Sequence, residues 1–232
     1  MAKQYVCDMT SGNELSLLLK FSVPMLIGNI FQQFYNMVDS IIVGNYVGKN
    51  ALAAVGMTSS LNFLYFSLCN GFATGAGVLM AQYFGMKNEK RVKDCIGNSV
   101  YLLFGMGLLV SVISFLLADP VLHMLHTPEA IFADARAYLQ IVCAGLISVV
   151  FYNGIAALLR ALGDSKTPLI FLVVASILNV IGDLLFVLVF HMGVAGVAYA
   201  TITAQGVSAL LVLLTLTKDD DIYKLTWKDI KI

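Results

Sequence analysis

The chain has 232 residues, 59% of them hydrophobic and only 12% charged. A soluble domain carries roughly 25% charged residues, about twice this supply, and the mean hydropathy of +0.85 agrees that this is an integral membrane protein. The 14 basic residues balance the 14 acidic ones, which leaves no basic patch for nucleic acid.

Residues 1–14 are polar, with no apolar core followed by a cleavage site, so no removable signal peptide is expected. Charge-free stretches then locate the spans: 21–38, 50–86, 95–118, 137–159, 167–182 and 184–217 contain no Asp, Glu, Lys or Arg. A helix needs about 20 apolar residues to cross the hydrocarbon core. The spacing predicts six helices, near 15–46, 51–84, 92–118, 129–160, 168–190 and 194–216, the first two long enough to tilt or protrude. A β-barrel is excluded, because the segments do not alternate and far exceed ten residues. The fold class is therefore an all-α, six-helix transmembrane bundle over 1–217, with a polar tail at 218–232.

Turn residues punctuate the bundle. Asp119-Pro120 is expected to stop the third helix. Thr127-Pro128-Glu129 reads as a helix start with a capping hydroxyl, and Asp164-Ser165-Lys166-Thr167-Pro168 as a start of the same kind. His191-Met192-Gly193 is the tight turn before the sixth helix. Gly71, Gly75 and Gly77 resemble a small-residue packing stripe. His123 and His126 fall in an outer connection and read as solvated loop residues. The cysteines Cys7, Cys69, Cys95 and Cys143 are too scattered for a disulfide framework or a metal pair.

On one side of this topology lie Lys3, Lys20, Lys87, Lys90, Arg91, Lys93, Arg160, Lys166, Lys218, Lys224, Lys228 and Lys231; on the other, only Lys49 and Arg136. Positive residues mark the cytoplasmic face, so both termini are expected inside.

Two acids remain deep in the apolar segments, Asp39 and Asp183. Insertion of an ionisable group there costs about 3 kcal/mol, which makes each a candidate functional residue. Asp39 lies seven residues before Tyr46 and Asp183 eight before His191, so both sit about 10–12 Å below the outer surface. Thr201, in the sixth helix, reaches the same level. Gln32, Tyr35, Asn36 and Asp39 recur at i, i+3, i+4 and i+7, and Asn179 and Asp183 at i and i+4. Such stripes must face inward, where their hydrogen-bonding groups find partners. Hard oxygens converging at one depth suit Na⁺ or a proton better than a transition metal. No G-x-S-x-G, H-E-x-x-H or P-loop is present, so nothing supports enzymatic chemistry.

Six segments then carry a family pattern: VPMLIGNIFQQFYNMVDSIIVGNYVG, ALAAVG, AQYFGMKNEKRV, LLRALGDSKTP, LNVIGDLLF and GVAGVAYAT, in order along nearly the whole chain. The chain resembles the MATE (multidrug and toxic compound extrusion) family of cation-coupled efflux antiporters, particularly the bacterial members. The resemblance implies one six-helix lobe of a two-lobe, twelve-helix transporter in the bacterial plasma membrane. It implies a Na⁺ or H⁺ site on Asp39, Asn179, Asp183 and Thr201, and a cavity lined by Gln32, Tyr35, Asn36 and Asn153. No cofactor beyond the coupling ion is expected, and the substrate class is organic and cationic. The tail KDDDIYKLTWKDIKI resembles the inner linker to a second lobe. That lobe would come from a longer product, a second copy or a companion chain, the two halves being related by an axis along the membrane normal. The rival readings are a lipid-linked saccharide flippase, expected to carry basic residues in its cavity where the inner thirds of these helices show none, and a non-transporting half that only assembles with a partner.

Overall fold

The computed structural model describes residues 13–218. It consists of six helices: α1 (Glu14–Ile42), α2 (Lys49–Gly85), α3 (Glu89–Met124), α4 (Glu129–Ala161), α5 (Lys166–Asp183) and α6 (Gly193–Lys218). All six are long and apolar enough to cross a membrane. The expected signal-free opening, Cys7, the tail beyond Lys218 and the basic residues Lys3, Lys224, Lys228 and Lys231 lie outside the described residues.

Side-chain caps set several starts. Asn13 accepts from Ser16 N at 3.3 Å to open α1, and Asn88 accepts from Arg91 N at 3.2 Å to open α3. Every connection carries a residue in the left-handed region: Gly48, Lys87, His126, Gly163, and the pair His191 and Gly193. Such a residue reverses the chain within a few positions, so consecutive helices run antiparallel and the ends of the described chain share one face.

Four expectations at the turns are corrected. Pro120 does not stop α3, which continues to Met124. The ring removes one hydrogen bond, but Ala118 and Leu122 on either side are fully buried against Ala135 and Leu139 of α4, and that packing holds the last turn helical. Thr127 does not cap α4; its hydroxyl donates back to Leu122 O at 2.8 Å and closes α3 instead. At α5 the cap is a carboxylate rather than a hydroxyl, Asp164 Oδ1 accepting from Lys166 N and Thr167 N at 3.0 Å each. His123 belongs to the last turn of α3, its ring 4.6 Å from that of Phe132, while His126 makes the turn.

The first and fifth helices also end differently from the regular helices expected. Each passes into a π-helical turn, Val43–Val47 after α1 and Leu184–Val189 after α5. The two π turns touch each other near the buried residues Val43, Val187, Val194 and Val197.

Packing centres on α4, which contacts α2, α3 and α6. In lipid, helices gain little from the hydrophobic effect and associate through close fit and interhelical hydrogen bonds. Ser111 Oγ donates to Cys143 O at 2.6 Å across α3 and α4, Tyr152 Oη to Pro168 O at 3.0 Å across α4 and α5, and Ser208 Oγ to Phe171 O at 3.2 Å across α6 and α5. The glycine stripe on α2 is not the seam: Gly71 and Gly75 face open space, and only Gly77 nears a neighbour, 3.6 Å from Ala157 O. The close approaches lie on α4, where a Cβ at Gly145 would fall on Ile202 and one at Gly154 on Leu103. By contrast α1 is lightly held, burying only Gly28, Tyr35 and Ile42, and packs chiefly on α5.

Ile202 is β-branched and would meet the new carbon with its own Cβ and Cγ2. Gly145→Val should therefore destabilise this lobe by about 1–3 kcal/mol, while Gly71→Val should leave it unchanged. Thermal unfolding of the purified chain in detergent measures both; equal effects would refute the assigned α4–α6 seam.

Candidate functional site

Asp183 ends the regular part of α5 and is fully buried. Asp39 stands one turn before the π segment of α1, and the two carboxyls lie against each other across the α1–α5 seam. Asp39 Oδ1 and both oxygens of Asp183 are nevertheless buried with no hydrogen-bond donor among the described residues. Asn179, one turn before Asp183, sends Nδ2 to Thr201 Oγ1 at 3.3 Å, and its own Oδ1 is likewise buried and unpartnered. The Thr201 hydroxyl donates to Val197 O at 3.1 Å, so its oxygen presents lone pairs to the cluster. The helical offsets thus bring Asp39, Asn179, Asp183 and Thr201 together.

The donor set is chemically uniform. It comprises carboxylate, amide and hydroxyl oxygens, with no group of three or more His, Cys, Asp or Glu among the described residues. Unsatisfied buried oxygens are costly, and several of them turned on one point are satisfied by a hard cation or by protons.

Beside the cluster lies a cavity of about 530 Å³. Gln32, Tyr35, Asn36 and Asn153 line it, as does Thr201. Asn36 is exposed and donates to Gln33 Oε1 at 3.4 Å, whereas Asn153 donates to Val149 O at 2.8 Å. Several lining residues escaped the sequence reading, Gln205, Asn62 and Tyr138 among them. Gln205 stands one turn after Thr201, and the same i+4 rule would have found it; its Oε1 is buried without a donor. Asn62 supplies another such oxygen from α2, where its neighbours at helical spacing, Thr58 and Ser59, are hydroxyls bonded to carbonyls of their own helix and signal no site. Tyr138 of α4 lies beside both acids and Tyr35, and its sequence surroundings, with Arg136 two residues away, resemble those of any interfacial tyrosine.

The expectation that no basic residue lines a cavity is corrected by Arg160. It lines a second pocket of about 260 Å³ at the other end of the bundle, bordered also by Gln32 and Asn153. Arg160 sits in the last turn of α4, where topology alone had accounted for its charge. Arg136, toward the opposite end of α4, pairs with Asp119 at 2.7 Å.

Comparison with known proteins accords with this architecture. The MatE family model matches residues 24–185. The chain is 37% identical over 211 residues to the probable multidrug resistance protein YpnP of Bacillus subtilis (strain 168), a match covering 91% of this chain and 47% of that protein. It is 27% identical over 211 residues to the probable multidrug resistance protein NorM of Thermotoga maritima, covering 88% and 45%. A solved structure described as the outward-facing conformation of a multidrug resistance MATE family transporter of the MOP superfamily superposes with a TM-score of 0.89 at 26% identity, covering 95% of this chain and 49% of that one. The chain spans about half the length of the curated relatives it matches. With six membrane-length helices in the arrangement of those transporters, this multi-pass membrane protein belongs to the MATE family of multidrug efflux transporters and matches one six-helix half of its members.

Proposed function

We propose that this chain is the N-terminal lobe of an antiporter that exports organic, cationic or amphipathic compounds and is driven by a Na⁺ or H⁺ gradient. The observation that carries the reading is the cluster of donorless oxygens on Asp39, Asn179 and Asp183 beside a cavity walled by amides and by Tyr35, Phe63, Phe66 and Tyr138. The aromatic faces attract organic cations, and the amides fix polar groups without demanding one shape. The cation or the protons would sit on Asp39, Asn179, Asp183 and Thr201. The other wall of the export path would come from a second lobe, in the same polypeptide, a second copy or a companion chain, and residues 218–232 would lead toward it. Multidrug names on the relatives support the substrate class. Arg160 favours the flippase reading in one respect, since it places a basic group in a pocket wall, but it does not line the larger cavity that adjoins the acids.

Two neighbouring carboxylates in a low-dielectric site do not both stay charged without a cation. Protons and Na⁺ therefore compete for the same oxygens, and Na⁺ affinity should fall as pH falls. Calorimetric Na⁺ titration of the purified chain at pH 8 and pH 6 tests this. The expected result is weaker binding at the lower pH, loss of binding in Asp39→Asn and Asp183→Asn, and a smaller loss in Thr201→Ala. Undiminished binding in Asp183→Asn would remove the site, and pH-independent binding would remove the competition.

Orientation follows from the basic residues of the connections. In a background lacking the native cysteines, a cysteine at Lys90 should be shielded from an impermeant thiol reagent in intact cells and one at Thr127 should react. The opposite labelling would place both ends of the described chain outside.

A further inference from the structure

The inner-end pocket around Arg160 serves no part of the cation site. Its guanidinium is only partly exposed and has no carboxylate within ion-pair distance among the described residues. The nearest acid along the chain, Asp164, is itself buried and committed, its Oδ1 accepting from Lys166 N and Thr167 N at the start of α5. The phenol of Tyr152, close to Arg160, gives its proton to Pro168 O. A desolvated, uncompensated guanidinium is costly, and an anion in the pocket offsets that cost.

The surrounding polar groups suit an oxyanion. Gln32, Asn70 and Asn153 bring amide donors, and Ser165 a hydroxyl, to the pocket that Arg160 lines. Asn153 uses one hydrogen of Nδ2 on Val149 O and retains the other. The planar guanidinium fork with flanking amides and a hydroxyl matches the several tetrahedrally arranged oxygens of a phosphate. Met25, Phe66 and Leu172 add apolar lining to the same pocket. Arg160 and Ser165 stand at the helix ends that share a face with the basic turn Lys87–Lys93. A charged fork beside apolar side chains at the end of a membrane-length helix fits the phosphate of an amphiphile, and basic pockets between transmembrane helices bind lipid headgroups in this manner.

We propose that this pocket binds an anionic phosphate group, carried by an inner-leaflet lipid, with Arg160 as its anchor and Gln32, Asn70, Asn153 and Ser165 as its donors. The site is separate from the acids, so Asp183→Asn should leave it intact.

The test uses the purified chain in non-ionic detergent. Native mass spectrometry compares adducts of short-chain phosphatidylglycerol with those of phosphatidylcholine, and inorganic phosphate is then added as a competitor. Wild type should favour phosphatidylglycerol, and Arg160→Gln should lower that affinity about tenfold or more, to the level of phosphatidylcholine. Arg136→Gln, at the outer end, should change nothing. Displacement by millimolar phosphate would show that the headgroup phosphate supplies most of the lipid's binding, and resistance to it that the acyl chains add to that binding; either result sustains the proposal. If Arg160→Gln fails to fold, Arg160→Lys carries the test, because loss of the fork should still weaken binding about threefold or more. Undiminished phosphatidylglycerol binding in the folded Arg160 variant would overturn the proposal. So would equal loss in Arg136→Gln, or a wild type that neither prefers phosphatidylglycerol nor binds phosphate.

Discussion

Asp39 Oδ1 and both oxygens of Asp183 lie buried at the seam of two helices with no donor reaching them. Coulomb repulsion between adjacent carboxylates is several-fold stronger there than in water, and each also loses its hydration. A bundle selected for stability alone would have apolar side chains at both positions. The rest of the lobe is arranged around this unresolved pair. Asp183 is anchored, because α5 is tied to α6 by Asn179 on Thr201 and by Ser208 on Phe171 O. Asp39 rides on α1, which buries little and leans mainly on α5. The pair therefore straddles the boundary between a fixed and a lightly held element. Under the proposed reading, a cation between the carboxyls would draw α1 toward α5, and on its departure a proton taken up by the pair would relieve the repulsion across the same seam.

The anchored part is built without a strong hydrophobic driving force. Serine and threonine hydroxyls are satisfied within their own helices, as Ser99 on Cys95 O and Thr58 on Val55 O, or reach one helix across, as Ser111 on Cys143 O. Glycines at 145 and 154 let the side chains of Ile202 on α6 and Leu103 on α3 pack directly against the α4 backbone. The result is a hub, α4, whose contacts do not depend on α1. A change at the acids can thus move α1 while the frame that carries Asn179 and Thr201 stays in place.

Much of this was legible in the sequence, because lipid imposes a severe rule. Charges are rare enough in these helices that Asp39 and Asp183 stood out singly, and helical offsets supplied Asn179, Gln32 and Tyr35. What escaped had no such contrast. Pro120 and Thr127 follow local rules that α3–α4 packing overrides, and the π turns after both acid-bearing helices leave no mark in a hydropathy pattern. Gly145 and Gly154 look no different from Gly71 and Gly75 until Ile202 and Leu103 are known to face them. Arg160 was read as a topology marker, since sequence position at a helix end does not tell a solvated arginine from one turned into a pocket.

The two charged sites also cannot serve each other. Tyr138, beside the acids, and Arg160 are 22 residues apart on α4, which is about 33 Å along the helix. At that separation, even with an effective dielectric constant near 20, attraction between unit charges is about 0.5 kcal/mol. That is far below the cost of desolvating either group. Between them run amides, with Gln32 and Asn153 bordering both the larger cavity and the inner pocket, and these dipoles carry no net charge. Each end must then be neutralised locally, the acids by cations or protons and the arginine by an anion. The lobe is neutral by composition yet polarised along its length, with ligands of opposite sign called for at its two ends.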